Sequence, residues 1–246
     1  MKFPIRRFLI GALVLVATMT QAQTRITSLP YTITSPGTYV LDLSLDYNSS
    51  SGAAIQINAS NVTVDLDGNS IINLSAGPKT QAVGINAFDR SNITIRNGQI
   101  LGFFRGVELD GQMEFQSSAT GALVENLRCA FSTDCGVFLT ANFNAVIRNC
   151  QIYGTGFSPG FPGNGNHGIG ILDELGFGNL ILQNIITQVS DTGIILGPND
   201  LADGNFVTGA LIGIFSDPSS KLKNNTVTMA TTIPFQGGTK LPGTNF

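Results

Sequence analysis

The chain has no tryptophan, one histidine (His167), three cysteines and only 12% charged residues among its 246. A lone histidine without any Cys-x-x-Cys pair leaves too few ligands for a zinc site, so no metal and no other cofactor is expected. Clusters of Lys and Arg are missing as well. Phosphate backbones are held by basic stripes, which removes nucleic acid as a partner. The one sustained apolar run is at residues 8–17, too short for a membrane span with stop-transfer flanks. Lys2, Arg6 and Arg7 precede it, and Thr20-Gln21-Ala22 offers small residues for cleavage, the pattern of a secretory signal peptide. Residues 1–22 are therefore expected to be removed near Ala22, leaving a secreted, periplasmic or extracellular chain. Loss of those three basic residues takes the formal charge from −3 to −6.

What the chain has in quantity is glycine, 29 residues of it, and an internal repeat. Five alternating apolar runs stop at asparagine or a close substitute: Val62 to Asp67, Ile93 to Asn97, Leu123 to Asn126, Val146 to Asn149 and Leu180 to Asn184. A second recurrent strand opens on glycine and a β-branched residue, at Gly84, Gly106, Gly136, Gly168, Gly193 and Gly213, spaced by 22, 30, 32, 25 and 20 residues. Self-similarity at that period means a solenoid, propeller or array, and short β-branched strands make it a β-solenoid. The pattern predicts an all-β stack of about seven coils within one domain, 23–246, with an opening segment at 31–41 and an irregular C-terminal tail. Asparagine suits the bends because it tolerates the left-handed backbone conformation and its amide can bond the next coil.

The glycine-led strands, the series Asn97, Asn126, Asn149, Asn184 and the segment Ser35-Pro-Gly-Thr-Tyr-Val40 resemble the right-handed parallel β-helix proteins, the pectate-lyase-like superfamily. The likeness covers about residues 33–229. It implies the fold and leaves activity open, because that fold hosts lyases, hydrolases, epimerases, esterases and non-catalytic surface proteins. Residues just before the bend asparagines, Arg96, Glu125, Arg148 and Gln183, should form an outward column. Leu123, Val146 and Ile181 would also face outward, as an apolar stripe needing a cover. Cys129 and Cys150 fall on the inward side with Leu127, Ile152 and Ile185, as small apolar residues. Any disulfide pairing among Cys129, Cys135 and Cys150 is left open. The six Asn-x-Ser/Thr sequons are expected by chance in such strands, and not as glycosylation sites.

In relatives of this fold that act on polysaccharide, the glycine-led face generally carries the site. Alternation sends one column outward as Gln56, Asn86, Glu108, Phe138, Gly170, Ile195 and Phe215. The next is Asn58, Phe88, Asp110, Thr140, Leu172, Gly197 and Asp217. Asn86, Phe88, Phe138 and Thr140 are the candidate sugar-binding residues, rings covering C–H faces and amides bonding hydroxyls. Glu108 and Asp110 are the candidate catalytic acids; two residues apart on a strand they would lie ~6.5–7 Å apart, the lower edge of an inverting glycosidase pair. Loops 153–166, with Phe157 and Phe161, and 111–120 would wall a groove.

Ser132-Thr-Asp134-Cys-Gly136 and Asn166-His167-Gly168 resemble fragments of the polygalacturonase signature, but the paired aspartates between them and the Arg-Ile-Lys are missing. Calcium-dependent lyases need more carboxylates and a cationic base than these columns offer. The expectation is a secreted β-helix contacting polysaccharide or a cell-envelope glycan without cleaving it. The alternatives are a polysaccharide lyase or glycoside hydrolase using Glu108 and Asp110, and a structural, adhesin-like solenoid.

Overall fold

A computed structural model describes residues 23–112, 119–156, 168–242 and 245. The expected signal peptide, His167, Phe157, Phe161 and most of the two long loops lie outside those residues. Strands stack in parallel throughout the main sheet, and the chain winds as a right-handed parallel β-helix. Among the described residues, eight coils carry a strand on each of three faces. The opening segment forms one of the eight, and seven follow it. The stretch expected as an irregular tail contributes another strand, Ile233–Lys240, paired in parallel with Ile212–Lys223.

Each face sends a buried column into the core, and the glycine-led face adds a second through Ile57, Ala87, Leu109 and Leu139. On the glycine-led face Ile55, Ile85, Val107, Val137, Ile171, Ile194 and Ile214 lie in register, all buried. The second face supplies Val64, Ile95, Val124, Ile147, Ile181, Ala202 and Leu222. The third supplies Ile71, Ile100, Cys129, Ile152, Ile186, Val207 and Val227. Parallel stacking at ~4.8 Å puts each side chain on its like in the next coil, and each fully buried aliphatic contributes ~1.5–3 kcal/mol.

Glycine recurs for a steric reason. A Cβ on Gly106 would lie 2.6 Å from the Gly136 carbonyl oxygen, and one on Gly136 would lie 2.8 Å from the Gly170 oxygen and 2.6 Å from Ile152 Cγ2. The series runs through Gly84, Gly106, Gly136, Gly170, Gly193 and Gly213. Gly170, not Gly168, therefore holds the ladder position, and Cys135 pairs with Ile169. The sequence Gly168-Ile-Gly-Ile offers the same motif twice, and the expected ladder position Gly168 is corrected to Gly170 by the stacking of the Gly193 oxygen on it.

Two asparagine series exist where one was expected. Asn97, Asn126 and Asn149 take the left-handed conformation with φ of 61°, 53° and 54° at a bend that is half-buried at Asn97 and exposed at the other two, and Gln183 (φ 55°) continues them. Asn184 starts a second, buried series one position further on. Its Oδ1 accepts from Cys150 N at 2.9 Å, Asn205 Oδ1 accepts from Asn184 N at 2.9 Å, and Asn225 Oδ1 accepts from Asn205 N at 3.0 Å. That one-residue slip relocates three side chains. Leu182, not Gln183, follows Arg148 in the outward column; Ile181 is buried while Leu180 takes its place in the stripe; Ile185 is exposed while Ile186 faces in. The charge alternation itself stands, with Arg96 on Asp65 at 2.9 Å and Arg148 on Glu125 at 2.7 Å. All three cysteines are buried free thiols, and burial pushes each thiol pKa up.

Candidate functional site

The outward columns of the glycine-led face follow from the register. Gln56, Asn86, Glu108 and Phe138 lie side by side in successive coils, and then come Leu172, Ile195 and Phe215. Beside them run Phe88, Asp110, Thr140 and Glu174. Moving the ladder glycine to Gly170 replaces Gly170 by Leu172 in the first column and Leu172 by Glu174 in the second. A carboxylate thus stands where the sequence reading had an apolar side chain.

The predicted patch divides in two. Asn86 accepts from Gln56 Nε2 at 3.0 Å, and Phe88 is 49% exposed, as outward side chains should be. Phe138 is not free: only 5% exposed, it packs with Cys135, Ile169 and Leu172 in a small apolar cluster separate from the main core. Leu172, Ile195 and Phe215 continue this outward column, which is buried at the Phe138 end and opens to 38% exposure at Phe215.

Arg105 organises the patch. It sits one place before Gly106, an outward position that columns counted from the glycine onward leave out. Its guanidinium carbon lies 3.6 Å from the Phe138 ring centroid, Nε donates to Asp134 Oδ2 at 2.7 Å, and Nη1 donates to Glu108 Oε1 at 2.5 Å. Burial works to lower the Arg105 pKa, but Glu108 and Asp134 outweigh it and keep the group charged. Asp134, within the fragment resembling a polygalacturonase motif, is thereby a buried ion-pair partner in the structure.

Asp110 is influenced directly by Glu108. Burial first, then the Glu108 carboxylate, pushes Asp110 up to about 7; Glu174 adds to the rise and Arg105 opposes it.

Sequence reasoning missed a second carboxyl pair. Asp173 and Asp200 are buried beneath the same face. Asp200 accepts from Asn179 N at 2.7 Å and Gly197 N at 2.9 Å, and Asp173 Oδ2 accepts from Asn179 Nδ2 at 2.6 Å. Burial raises both, and the neighbouring Asp173 carboxylate adds to the rise of Asp200. Above them an open groove of about 560 Å³ runs over the later coils. Leu172, Ile195, Phe215 and Pro218 line it together with Glu174, Asp191 and Asp217. Among the described residues no group of three or more His, Cys, Asp or Glu is arranged to hold a metal ion, and no helix is long and apolar enough to cross a membrane.

No family model matches the chain, and no curated protein matches it. Solved structures do. A tailspike protein variant of E. coli bacteriophage HK620, in complex with a pentasaccharide, superposes with a TM-score of 0.59 at 14% identity, over 83% of this chain and 44% of that one. The alginate lyase of Paenibacillus sp. str. FPU-7 gives 0.50 at 15% identity, over 94% and 79%. ORF18 of Geobacillus virus E2 gives 0.50 at 10% identity, over 89% and 51%. This chain spans less than half of the tailspike's length. At these identities the likeness defines a fold: the chain is a right-handed parallel β-helix protein. It shares that fold with a tailspike and an alginate lyase.

Proposed function

We propose that the protein is exported and holds an extended polysaccharide, or a cell-envelope glycan, along its glycine-led face without cleaving it. One observation carries the reading: the open groove, the column of exposed Phe88 with Asp110, Thr140 and Glu174, and Asn86 in the column beside it share one face of a rigid stack. Parallel coils repeat at ~4.8 Å, close to the rise of an extended sugar chain, so one ligand can meet several coils. Export rests on the N-terminal pattern of Lys2, Arg6, Arg7 and the apolar run at 8–17. Absence of cleavage rests on the engagement of Glu108 by Arg105, an ion pair that holds this carboxylate in the scaffold.

A second reading, cleavage, is favoured by one observation: Asp110 is pushed up to about 7, where a carboxyl transfers protons well. Retardation of the protein in polysaccharide-loaded native gels, together with reducing-end and unsaturated-product assays, separates the two. Retardation without product is the expected outcome. Product formation that disappears in both Glu108→Gln and Asp110→Asn establishes the second reading, and no retardation by any glycan overturns the binding reading itself.

A further inference from the structure

Building on that proposed glycan-binding reading, we infer that the groove formed by Leu172, Ile195, Phe215, Glu174, Asp191 and Asp217 takes an uncharged sugar chain and rejects polyuronates. The argument is one of charge placed around an apolar floor. Leu172, Ile195 and Phe215 follow one another in register, the last of them 38% exposed, so the floor offers aliphatic and ring surface to a sugar's C–H face. Carboxylates form its rim. Asp217 accepts from Ser219 N at 2.8 Å and Ser219 Oγ at 2.6 Å, and these bonds hold its pKa below the ordinary value, keeping it ionised. Glu174 is exposed at the end of its strand, beside Thr140. Carboxylate oxygens are pure acceptors, suited to sugar hydroxyls and unable to pair with a uronate.

No compensating cation is at hand. Among the described residues that line the groove none is basic. Arg105, further along the face, is already committed to Glu108 and Asp134. Segments 113–118 and 157–167 contain no lysine or arginine. A polyuronate bears one negative charge per sugar and would be carried past several like charges within a Debye length, ~8 Å at physiological salt. Like-charge juxtaposition is a standard means of rejecting a partner. A neutral chain meets no such penalty.

The test is affinity electrophoresis of the mature chain in gels cast with dextran, laminarin or galactomannan, and in parallel gels with alginate or polygalacturonate, at low and high salt. Retardation by at least one neutral polymer and by neither polyuronate is expected. Phe215→Ala should weaken neutral binding about tenfold, the usual cost of losing a ring platform. Replacing Glu174, Asp191 and Asp217 together by Gln, Asn and Asn should let polyuronate retardation appear. Parent protein that binds alginate or polygalacturonate as tightly as any neutral polymer overturns the inference and leaves the glycan reading standing. Binding to none of the five overturns both.

Discussion

Arg105 lies against the face of Phe138, its guanidinium carbon 3.6 Å from the ring centroid, in the adjacent coil. The contact couples a residue chosen as a sugar platform to an ion-pair hub, because the same guanidinium bonds Glu108 and Asp134. A stacked, largely desolvated cation–π contact is worth ~2 kcal/mol or more. Phe138 is thus part of the scaffold that aims Glu108, and Phe88 is the aromatic ring of that patch left open to solvent.

Thermal or urea melts distinguish those roles. Phe138→Ala should lose ~3–5 kcal/mol, as a buried ring does, while Phe88→Ala should stay within ~0.5 kcal/mol of the parent. Equal losses would mean that the two rings are packed alike.

The glycine ladder gives a matched pair of substitutions. Gly136→Ala forces a Cβ to within 2.6 Å of Ile152 Cγ2 and 2.8 Å of the Gly170 oxygen, whereas at Gly156 the nearest neighbour among the described residues is Ser190 Oγ at 3.8 Å. Overpacking costs ~1–3 kcal/mol, so Gly136→Ala should melt well below Gly156→Ala. A Gly136 variant as stable as its control would show that the coils spread apart at little cost.

Side-chain amides at the two bends should differ just as clearly. Asn205 is buried; it donates to the Ile181 oxygen at 2.7 Å and to Asn225 Oδ1 at 2.9 Å, and accepts from Asn184 N. Asn205→Leu strands several buried groups, each worth ~1–3 kcal/mol. Asn126, exposed and joined to Asn97 at 3.3 Å, should tolerate the same change with a smaller loss, set by its left-handed φ of 53°. Chemical denaturation of both variants ranks them; a larger loss at Asn126 would contradict the assignment of the buried series.

Periodicity made the fold legible. Glycine, asparagine and aliphatic positions recur because each coil repeats the steric problem of its neighbour. Register failed where the sequence supplies two candidates in a row, Gly168 and Gly170 for the ladder, Gln183 and Asn184 for the bend. Nothing local separates such pairs; only the coil above does, through the Gly193 oxygen that a Gly170 Cβ would meet at 2.5 Å and the Asn205 side chain that receives Asn184 N. At the candidate site, Asn86, Phe88, Glu108, Asp110 and Thr140 were placed on one face correctly. Arg105 was missed because its partners, Asp134 and Phe138, are 29 and 33 residues away and converge only when coils stack. The Asp173–Asp200 pair escaped for the same reason: two acids far apart in the chain carry no pattern.

That buried pair makes stability depend on pH in a definite direction. Asp173 and Asp200 are both raised above the ordinary carboxylate value, first by burial, with Asp200 pushed up to about 9. Groups raised on folding bind more protons in the folded state than in the unfolded one. Their stabilisation is therefore complete below the unfolded pKa of ~3.9 and is lost as pH rises towards the folded value. Both Asp200 oxygens accept backbone N–H groups, while Asp173 Oδ1 has no hydrogen-bond partner. Asp173→Asn removes the neighbouring carboxylate that adds to the rise of Asp200, so Asp200 ionises at lower pH and at less cost. The parent should melt at a distinctly lower temperature at pH 9 than at pH 5, and Asp173→Asn should reduce the difference. A parent whose melting temperature is flat over that range, or a variant with an unchanged slope, would show that the pair does not hold a proton.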